Sequence, residues 1–164
     1  MTFHDALNYL ESRGKRNAAS TTGFNKEEEQ ALCAAVGSKG GCGGAVFVTD
    51  FPATQKPFYC AQSTASTSAR HQGELTVAAV DLLMPGVGEV VGGSVREVER
   101  ETLLMRMPGG KGGALGWYAA LRGHGGAPHG GFGLGFDRML LWLLGAYNIR
   151  DVVTFPREIG KMYL

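Results

Sequence analysis

The sequence predicts an α+β fold in which an antiparallel sheet is flanked by helices. The first observation is that apolar residues recur at helical spacing near both ends of the chain. The second is a central pair of β-branched, alternating segments joined by the turn PGVG at 85–88. A connection this short joins antiparallel strands only, so we do not expect the regular βαβ order of a parallel sheet.

Two helices are predicted near the N-terminus. Thr2 can cap the first helix, whose apolar residues keep helical spacing as far as Leu10, and Gly14 ends it. Asn25 begins the second helix. The acidic run 27–29 lies in its first turn, where the helix dipole favours negative charge. We expect that run to form a solvated helix face.

The next segments predict strands separated by loops. SKGGCGG at 38–44 is typical of a flexible connector, and AVFVTDF at 45–51 predicts a buried strand that Pro52 ends. KPFYC at 56–60 is a candidate start of a further strand. The polar stretch QSTASTSARHQG at 62–73 is low in complexity and predicts a mobile loop insertion.

The central hairpin and the segments after it complete the predicted sheet. LTVAAVDLL at 75–83 and EVV at 89–91 form the two strands of the hairpin. VREVERETLLMRM at 95–107 predicts a helix, and a short helix follows around Trp117 between glycine-rich loops. GFGLG at 131–135 predicts a short final strand.

A last helix is predicted in FDRMLLWLLG, where Gly145 stops it. Its apolar residues fall on one stripe, which is typical of a helix that packs against a core. We expect the following residues to face that core: Phe136, Met139, Leu140, Leu143 and Leu144.

The overall composition is that of one ordinary globular domain. Of 164 residues, 44% are hydrophobic and 19% are charged, and the formal net charge is +1. This balance gives no strongly positive surface, so most of the positive charge needed to bind an RNA substrate would have to come from outside this chain. Cys33, Cys42 and Cys60 show no C-x-x-C spacing. They indicate free thiols in a reducing compartment rather than a metal site.

Targeting signals are not evident in the sequence. No apolar run approaches the ~20 residues that a membrane span needs. The N-terminal segment has no signal-peptide core, and its Asp5 and Glu11 are atypical of a transit peptide. We therefore expect no membrane partner and no secretion, with a location in the cytoplasm or in the matrix of a mitochondrion or plastid.

The predicted hairpin carries two acidic residues at matched positions. Centred on Pro85, it places Asp81 directly opposite Glu89, and like charges that face each other across two strands repel. Either both carboxylates are well solvated or a cation lies between them. Mg²⁺ suits the second case, because it takes one or two carboxylates and completes its shell with phosphates and water.

Arg96 follows this hairpin, past the pair Gly92–Gly93. Glycines inside a strand are typical of a bulge, and a bulge there would bring Ser94 and Arg96 onto the face that carries Glu89. A fixed arginine beside a metal site is suited to hold a polar substrate group. The alternative is a surface ion pair of Arg96 with a neighbouring acid, Glu97 or Glu99.

Alternating glycines mark the predicted final strand. Gly131, Gly133 and Gly135 share one face, and a face without side chains suits a flat group such as adenine or ribose. Arg138 lies in the first turn of the next helix, where amides and the dipole favour anions, so it is a candidate phosphate ligand. The segment is neither a Walker loop nor a Rossmann fingerprint. His129 is a candidate substrate contact or a capped loop histidine.

Several segments resemble the asparaginyl-tRNA synthetases, a family of class II aminoacyl-tRNA synthetases. They are MTFHDALNYLE, AVFVTDFPATQKPFYC, GELTVAAVDLLMPGVGEVVGGSVRE, and WYAALRGHGGAPHGGFGLGFDR through NIRDVVTFPR. The resemblance covers almost the whole chain. DLLMPGVGEVVGGSVRE and the ending NIRDV…FPR favour asparaginyl over aspartyl or lysyl enzymes. The fold implied by the resemblance is part of a class II synthetase core.

The resemblance also implies a metal and amino-acid site. Asp81 and Glu89, helped by Ser94, would bind the Mg²⁺ that bridges the phosphates of ATP. Arg96 would grip the side-chain carbonyl of asparagine, and His129 stays a candidate for substrate binding.

For ATP itself, the resemblance assigns Arg138 the γ-phosphate and the catalytic role. Gly133 and Gly135 would form a floor for the adenosine, with Glu89 reaching the phosphates through the metal. The implied reaction is attack of the asparagine carboxylate on the α-phosphorus with release of pyrophosphate, followed by transfer to tRNA. Positioning and charge neutralisation would carry this chemistry.

The sequence departs from the family pattern in several places. It lacks the anticodon-binding domain and the first two class II motifs, and it differs at Val98, Glu99, Asp137 and the insertion 62–73. We expect residues 1–164 to be a C-terminal part of a catalytic domain, inactive alone and needing an upstream half or another subunit to cover its sheet edges. The alternatives are a non-catalytic paralogue with a structural role in an assembly, and an asparagine synthetase on the same core.

Overall fold

The computed structural model describes residues 1–16, 23–40, 44–64, 70–71, 73–109, 113–157 and 159–160. Within these ranges helices and strands mix along the chain, as the α+β prediction requires. They are α1 (Phe3–Ser12), α2 (Lys26–Gly40), β1 (Val46–Pro52), β2 (Arg70–His71), β3 (Glu74–Met84), β4 (Gly88–Val95), α3 (Arg100–Arg106), α4 (Gly116–Ala120), β5 (Gly130–Leu134) and α5 (Phe136–Leu144).

The strands form one antiparallel sheet in the order β1–β3–β4–β5, and β2 pairs with the beginning of β3. The predicted hairpin is confirmed as β3 and β4. The strand proposed to start at 56–60 is wrong: this segment forms turns, and Cys60 makes only an isolated bridge with Arg96. Pro57 explains the difference, because it has no amide hydrogen to donate to a strand ladder.

The stretch 62–73 is only partly the loop that its composition predicts. Gln62 bridges Val77, and the amide of Ser63 donates to the carbonyl of Thr76 over 3.0 Å. Arg70 and His71 form β2. Half of the expected mobile loop, 65–69 and 72, lies outside the described residues.

The core lies between α1, α2 and one face of the sheet. Thr2 caps α1 as predicted, since its hydroxyl accepts from the Asp5 amide at 3.1 Å in a capping box. Phe3 is 1% exposed, and its ring centroid lies 4.8 Å from that of Phe24 and 5.0 Å from that of Phe51. The other buried members of this core are Ala6, Leu7, Leu10, Leu32, Cys33, Val46, Val48, Cys60, Val77, Ala79 and Leu83.

Two cysteines belong to this core. Cys33 and Cys60 are buried free thiols, as the spacing indicates, and Cys42 lies outside the described residues. A free cysteine in such a place behaves as a small hydrophobic side chain.

The acidic run at the start of α2 is not a uniformly solvated face, and that prediction was wrong. Glu27 is exposed, whereas Glu28 is buried and Glu29 is half-buried. Glu28 forms an ion pair with Arg16 at 3.1 Å, and its amide and carboxylate exchange hydrogen bonds with Asn25. Burial of the carboxylate is possible because the guanidinium and the amide stabilise its charge.

One further helix prediction differs from the structure and another is confirmed. The helix predicted over 95–107 begins only at Arg100, because Val95 belongs to β4 and Arg96 continues in extended form to its bridge with Cys60. Gly145 ends α5 as predicted, with a φ of 63°.

The apolar stripe of α5 does not face a core within the described residues. Phe136 is 60% exposed, Leu143 is 59% and Leu144 is 69%. The helix periodicity was therefore interpreted correctly but its burial was not, because periodicity does not say whether the covering surface belongs to the same chain.

Candidate active site

A single face of the sheet carries the candidate polar residues. Val48, Asp81, Gly92 and Gly133 pair in a row across the four main strands, and paired residues share a face. This is the face that α1 and α2 cover at the β1 end. Towards β5 the described parts of these helices leave the face open, and the candidate site lies at the border of the covered part.

The predicted pairing of Asp81 with Glu89 is wrong. Asp81 pairs with Gly92 and Glu89 pairs with Leu83, because the register shifts by one residue at Val90. The bulge proposed at Gly92–Gly93 therefore lies at Val90.

The consequence expected from a bulge is nevertheless found. The extra residue reverses the alternation along β4, so that Glu89 shares its face with Ser94 and Asp81. Arg96, two residues beyond Ser94, continues on that face and lines the same cavity as both carboxylates.

The two carboxylates border one small space above Gly92. A Cβ atom at that position would lie 2.7 Å from Oε1 of Glu89 and 3.4 Å from Oδ1 of Asp81. Burial, followed by the charge of Asp81, raises the pKa of Glu89, while Lys56 and Arg138 oppose the rise. The glycine therefore keeps open a space that two acidic side chains share.

Lys56 is a site residue to which the sequence analysis assigned no role. Its Nζ lies 2.7 Å from Oδ1 and 2.6 Å from Oδ2 of Asp81, and 3.9 Å from the ring centroid of Phe51. The available signal was its position in PATQKPFYC, one of the segments that carry the family resemblance.

Glu29 is a second residue that the sequence analysis did not place here. Its carboxylate accepts a hydrogen bond from the backbone amide of Glu89, and burial raises its pKa. A helix of the core thus holds the main chain of the bulge. The residue was not identified because the acidic run resembled a solvated face.

Arg138 contacts the same bulge from the other side. Its Nη1 donates to the carbonyl of Glu89 at 2.7 Å, and the amide of Gly135 donates to the carbonyl of Val90 at 2.8 Å. The first turn of α5, with Arg138, is thereby fixed beside the acidic pair. Arg138 is otherwise exposed, so its guanidinium can reach an anion.

The guanidinium of Arg96 lies over an aromatic ring rather than in the alternative surface ion pair. Its guanidinium carbon is 4.3 Å from the ring centroid of Tyr59, and Glu97 lies 3.9 Å from Arg106. A Cβ atom at Gly131 would lie 2.7 Å from Nη2 of Arg96. The first glycine of the strand therefore makes room for the arginine.

The alternating glycines leave one face of β5 without side chains, as the strand pattern predicts. Gly131 and Gly133 lie on the site face of β5, and a Cβ atom at Gly133 would meet nothing within 4 Å. Gly135 is the residue before α5 and lies against Val90 and Arg138. An open, side-chain-free surface thus runs from the acidic pair to the start of α5.

His129 is not brought into the site by its side chain. The exposed ring places Nδ1 3.1 Å from the carbonyl of Ala127, and the His129 carbonyl accepts from the Arg96 amide at 2.9 Å. This arrangement fits the alternative of a capped loop histidine.

The site face contains adjoining cavities that all include Glu89. A cavity of about 460 Å³ is lined by Lys56, Asp81, Ser94 and Arg96. A second of about 450 Å³ extends beneath α2 to Glu29 and Phe24. A third, of about 310 Å³, is lined by Gly133, Gly135 and Arg138. Cavities of this size are suited to parts of a small ligand.

The donor set fits a magnesium ion that shares its shell with a ligand. The described residues contain no group of three histidine, cysteine or acidic side chains placed to hold a metal by themselves. Asp81, Glu89 and Ser94 offer oxygen atoms only, and Gly92 leaves the space between the carboxylates open. Mg²⁺ commonly uses one or two carboxylates together with phosphate oxygens, so these residues suit it.

An antiparallel sheet with flanking helices, a polar face and a glycine floor is the arrangement expected of part of a class II aminoacyl-tRNA synthetase core. A family model described as tRNA synthetases class II (D, K and N) matches residues 1–159. The chain belongs to this family.

Several relatives within the family are asparagine enzymes. An asparagine–tRNA ligase of Rhodopirellula baltica is 39% identical over 98% of this chain and 31% of its own length. The mitochondrial asparagine–tRNA ligase of Saccharomyces cerevisiae is 45% identical over 71% of this chain and 23% of its own length. Asparaginyl-tRNA synthetase of Pyrococcus horikoshii, solved with asparaginyl-adenylate, matches with a TM-score of 0.81 and 31% identity, covering 99% of this chain and 35% of its own.

The chain therefore spans about a third or less of the length of these relatives and covers only part of the catalytic domain. Across the described residues, the helices are too short or too polar to cross a membrane.

Proposed function

We propose that this chain supplies the metal, γ-phosphate and amino-acid side of an asparagine–tRNA ligase active site and is inactive alone. The observation that carries the proposal is the convergence of Asp81, Glu89 and Arg96 on one sheet face, with Arg138 fixed to the same bulge. Asparagine–tRNA ligases among the relatives support the choice of amino acid.

The proposed metal ligands are Asp81 and Glu89, with help from the hydroxyl of Ser94. Bound Mg²⁺ would neutralise the phosphates of ATP and orient them. The chain's own part is to hold the two carboxylates on either side of Gly92, and the main-chain bonds of Glu89 to Glu29 and Arg138 fix one of them.

The proposed nucleotide surface runs from the acidic pair to α5. Gly133 and Gly135 would support the adenosine, and Arg138 would bind the γ-phosphate from a helix start that already favours anions. Arg96, held over Tyr59, would donate to the side-chain carbonyl of asparagine. His129 contributes its carbonyl to the Arg96 backbone, which is a positioning role.

The reaction proposed for the assembled enzyme is attack of the asparagine carboxylate on the α-phosphorus, release of pyrophosphate and transfer to tRNA. The described site aligns the reactants and neutralises the leaving group, and such positioning lowers the barrier without a general base. The remaining machinery, including the tRNA-binding parts, would come from an upstream half or another subunit.

We propose the cytoplasm or an organellar matrix as the location of the assembled enzyme.

The decisive experiment combines this chain with the upstream half of a synthetase and measures asparagine-dependent exchange of pyrophosphate into ATP. We expect exchange only with both parts present, and Asp81→Asn should lower it at least about a hundredfold because metal binding contributes several kcal/mol. Glu101→Gln, an exposed change on α3, is the matched control. Exchange at background with both parts present would refute the proposal.

A non-catalytic role in a larger assembly is the second candidate. The face of the sheet opposite the site exposes large apolar side chains, with Phe47 at 58% and Phe132 at 75% exposed. Stable association with a partner, without exchange activity in the combined sample, would favour this function over catalysis.

A further inference from the structure

We propose that Lys56 is a positioning residue that occupies the carboxylate of Asp81 and competes with a divalent cation for it. This inference rests on the proposed function, because it assumes that Asp81 is a metal ligand. It concerns a lysine that the resemblance to known synthetases did not assign to the site.

The ammonium of Lys56 contacts both oxygens of the Asp81 carboxylate. Nζ of Lys56 lies at nearly equal distances, 2.7 and 2.6 Å, from the two oxygens of Asp81. The ammonium therefore lies where a cation bound to both oxygens would lie. A metal must displace it or share the oxygens with it.

The ammonium is held there by its surroundings. It lies 3.9 Å from the ring centroid of Phe51, and the Lys56 side chain is only 18% exposed. Its backbone follows the 3₁₀ turn Ala53–Gln55 and precedes Pro57, so the stem starts from a constrained segment. The contact between Lys56 and Asp81 therefore lies at the end of the sheet that α1 and α2 cover.

The charges around the two carboxylates are arranged unequally. Lys56 bonds both side-chain oxygens of Asp81, whereas Arg138 bonds only the main-chain carbonyl of Glu89. The single full positive charge in contact with the Asp81 carboxylate, within the part of the chain that is described, is therefore that of Lys56. Two cations that share one carboxylate repel each other strongly when water is partly excluded.

The consequence is that Lys56 weakens metal binding when no phosphate is present, while it keeps the Asp81 side chain in place. Removing its charge should strengthen the affinity for a divalent cation. A residue that acted only on folding would have the opposite effect or none, since loss of structure weakens a metal site.

The test measures Mn²⁺ binding to the full chain without nucleotide, by the electron paramagnetic resonance signal of free Mn²⁺. Mn²⁺ is the probe because it uses the same oxygen ligands as Mg²⁺. We expect Lys56→Met, which keeps the stem beside Phe51, to bind Mn²⁺ at least about tenfold more tightly than the unmodified chain. Lys56→Arg retains the charge and can bond both oxygens of Asp81, so it should bind Mn²⁺ no more tightly than the unmodified chain.

The variant Asp81→Asn separates the two proposals. If it leaves Mn²⁺ binding unchanged, the proposed metal site is wrong. If it removes binding while Lys56→Met binds no more tightly than the unmodified chain, only the role of Lys56 is overturned. Where Lys56→Met loses the far-UV circular dichroism of the native chain, Lys56→Gln replaces it with the same expected tightening, and unchanged or weaker binding by Lys56→Gln also overturns the inference.

Discussion

The two ends of the sheet differ in how completely they are buried. At the end formed by β1 and β3, the covered half, α1 and α2 enclose a core around Phe3 and Leu83. At the end formed by β5 and α5, the open half, residues such as Phe132 and Phe136 lie in contact with solvent. The acidic pair and Lys56 lie next to a core that this chain completes, whereas Arg138 depends on main-chain bonds to the bulge.

The largest expected effect on stability comes from truncating one phenylalanine in the covered half, compared with the same truncation in the open half. Phe3→Ala should lower the free energy of unfolding by about 4 kcal/mol, because it removes a buried ring that packs on Phe24 and Phe51. Phe132→Ala should change it by less than about 0.5 kcal/mol in this chain, since the ring is exposed. Urea denaturation of both variants measures the difference. Equal losses would show that the open half is not open in solution.

A smaller effect is expected from the buried ion pair of the covered half. Glu28→Ala should cost about 3 kcal/mol, because it leaves the guanidinium of Arg16 buried without its carboxylate. Glu101→Ala removes an exposed pair with Arg100 and should cost about 0.5 kcal/mol or less. Urea denaturation at low and high salt distinguishes them, and an equal cost for both would contradict the difference in burial.

The smallest effect is a pH dependence within the covered half. Burial, followed by the charge of Glu29, raises the pKa of Cys33 from 9.0 to about 11. The folded chain therefore holds this proton to higher pH than the unfolded chain, so its contribution to stability is complete below pH 9 and is lost as the pH rises towards 11.

The matched control is Cys33→Ala, which cannot titrate. Between those pH values the unmodified chain should lose more stability than the variant, by up to about 1.4 kcal/mol per pH unit. Denaturant unfolding across that range provides the measurement. Parallel curves for the two proteins would show that the thiol is not protected as the structure describes.

Local signals made several features predictable. The cap at Thr2, the hairpin and the glycine end of α5 each depend on residues close in sequence. The face shared by Glu89 and Ser94 was also predictable, because glycines in a strand indicated a bulge.

The remaining features depend on contacts that the sequence does not display. The bulge lies at Val90 because main-chain bonds from α2 and α5 converge there. Glu28 is buried because Arg16 reaches it from a separate segment, and Lys56 meets Asp81 across 25 residues of chain. The apolar periodicity of α5 predicts the helix but does not show whether the surface that covers it belongs to this chain.

The bulge at Val90 makes the chemistry of β4 depend on one extra residue in the strand. Glu89 and Ser94 are an odd number of positions apart, so a regular strand of the same length would turn Ser94 and Arg96 to the opposite side of the sheet from Glu89. Most substitutions in β4 alter one side chain at a time, whereas loss of the bulge would dismantle the site and leave its residues intact. Spacing between the acid and the arginine is thus as much a part of the site as their identities.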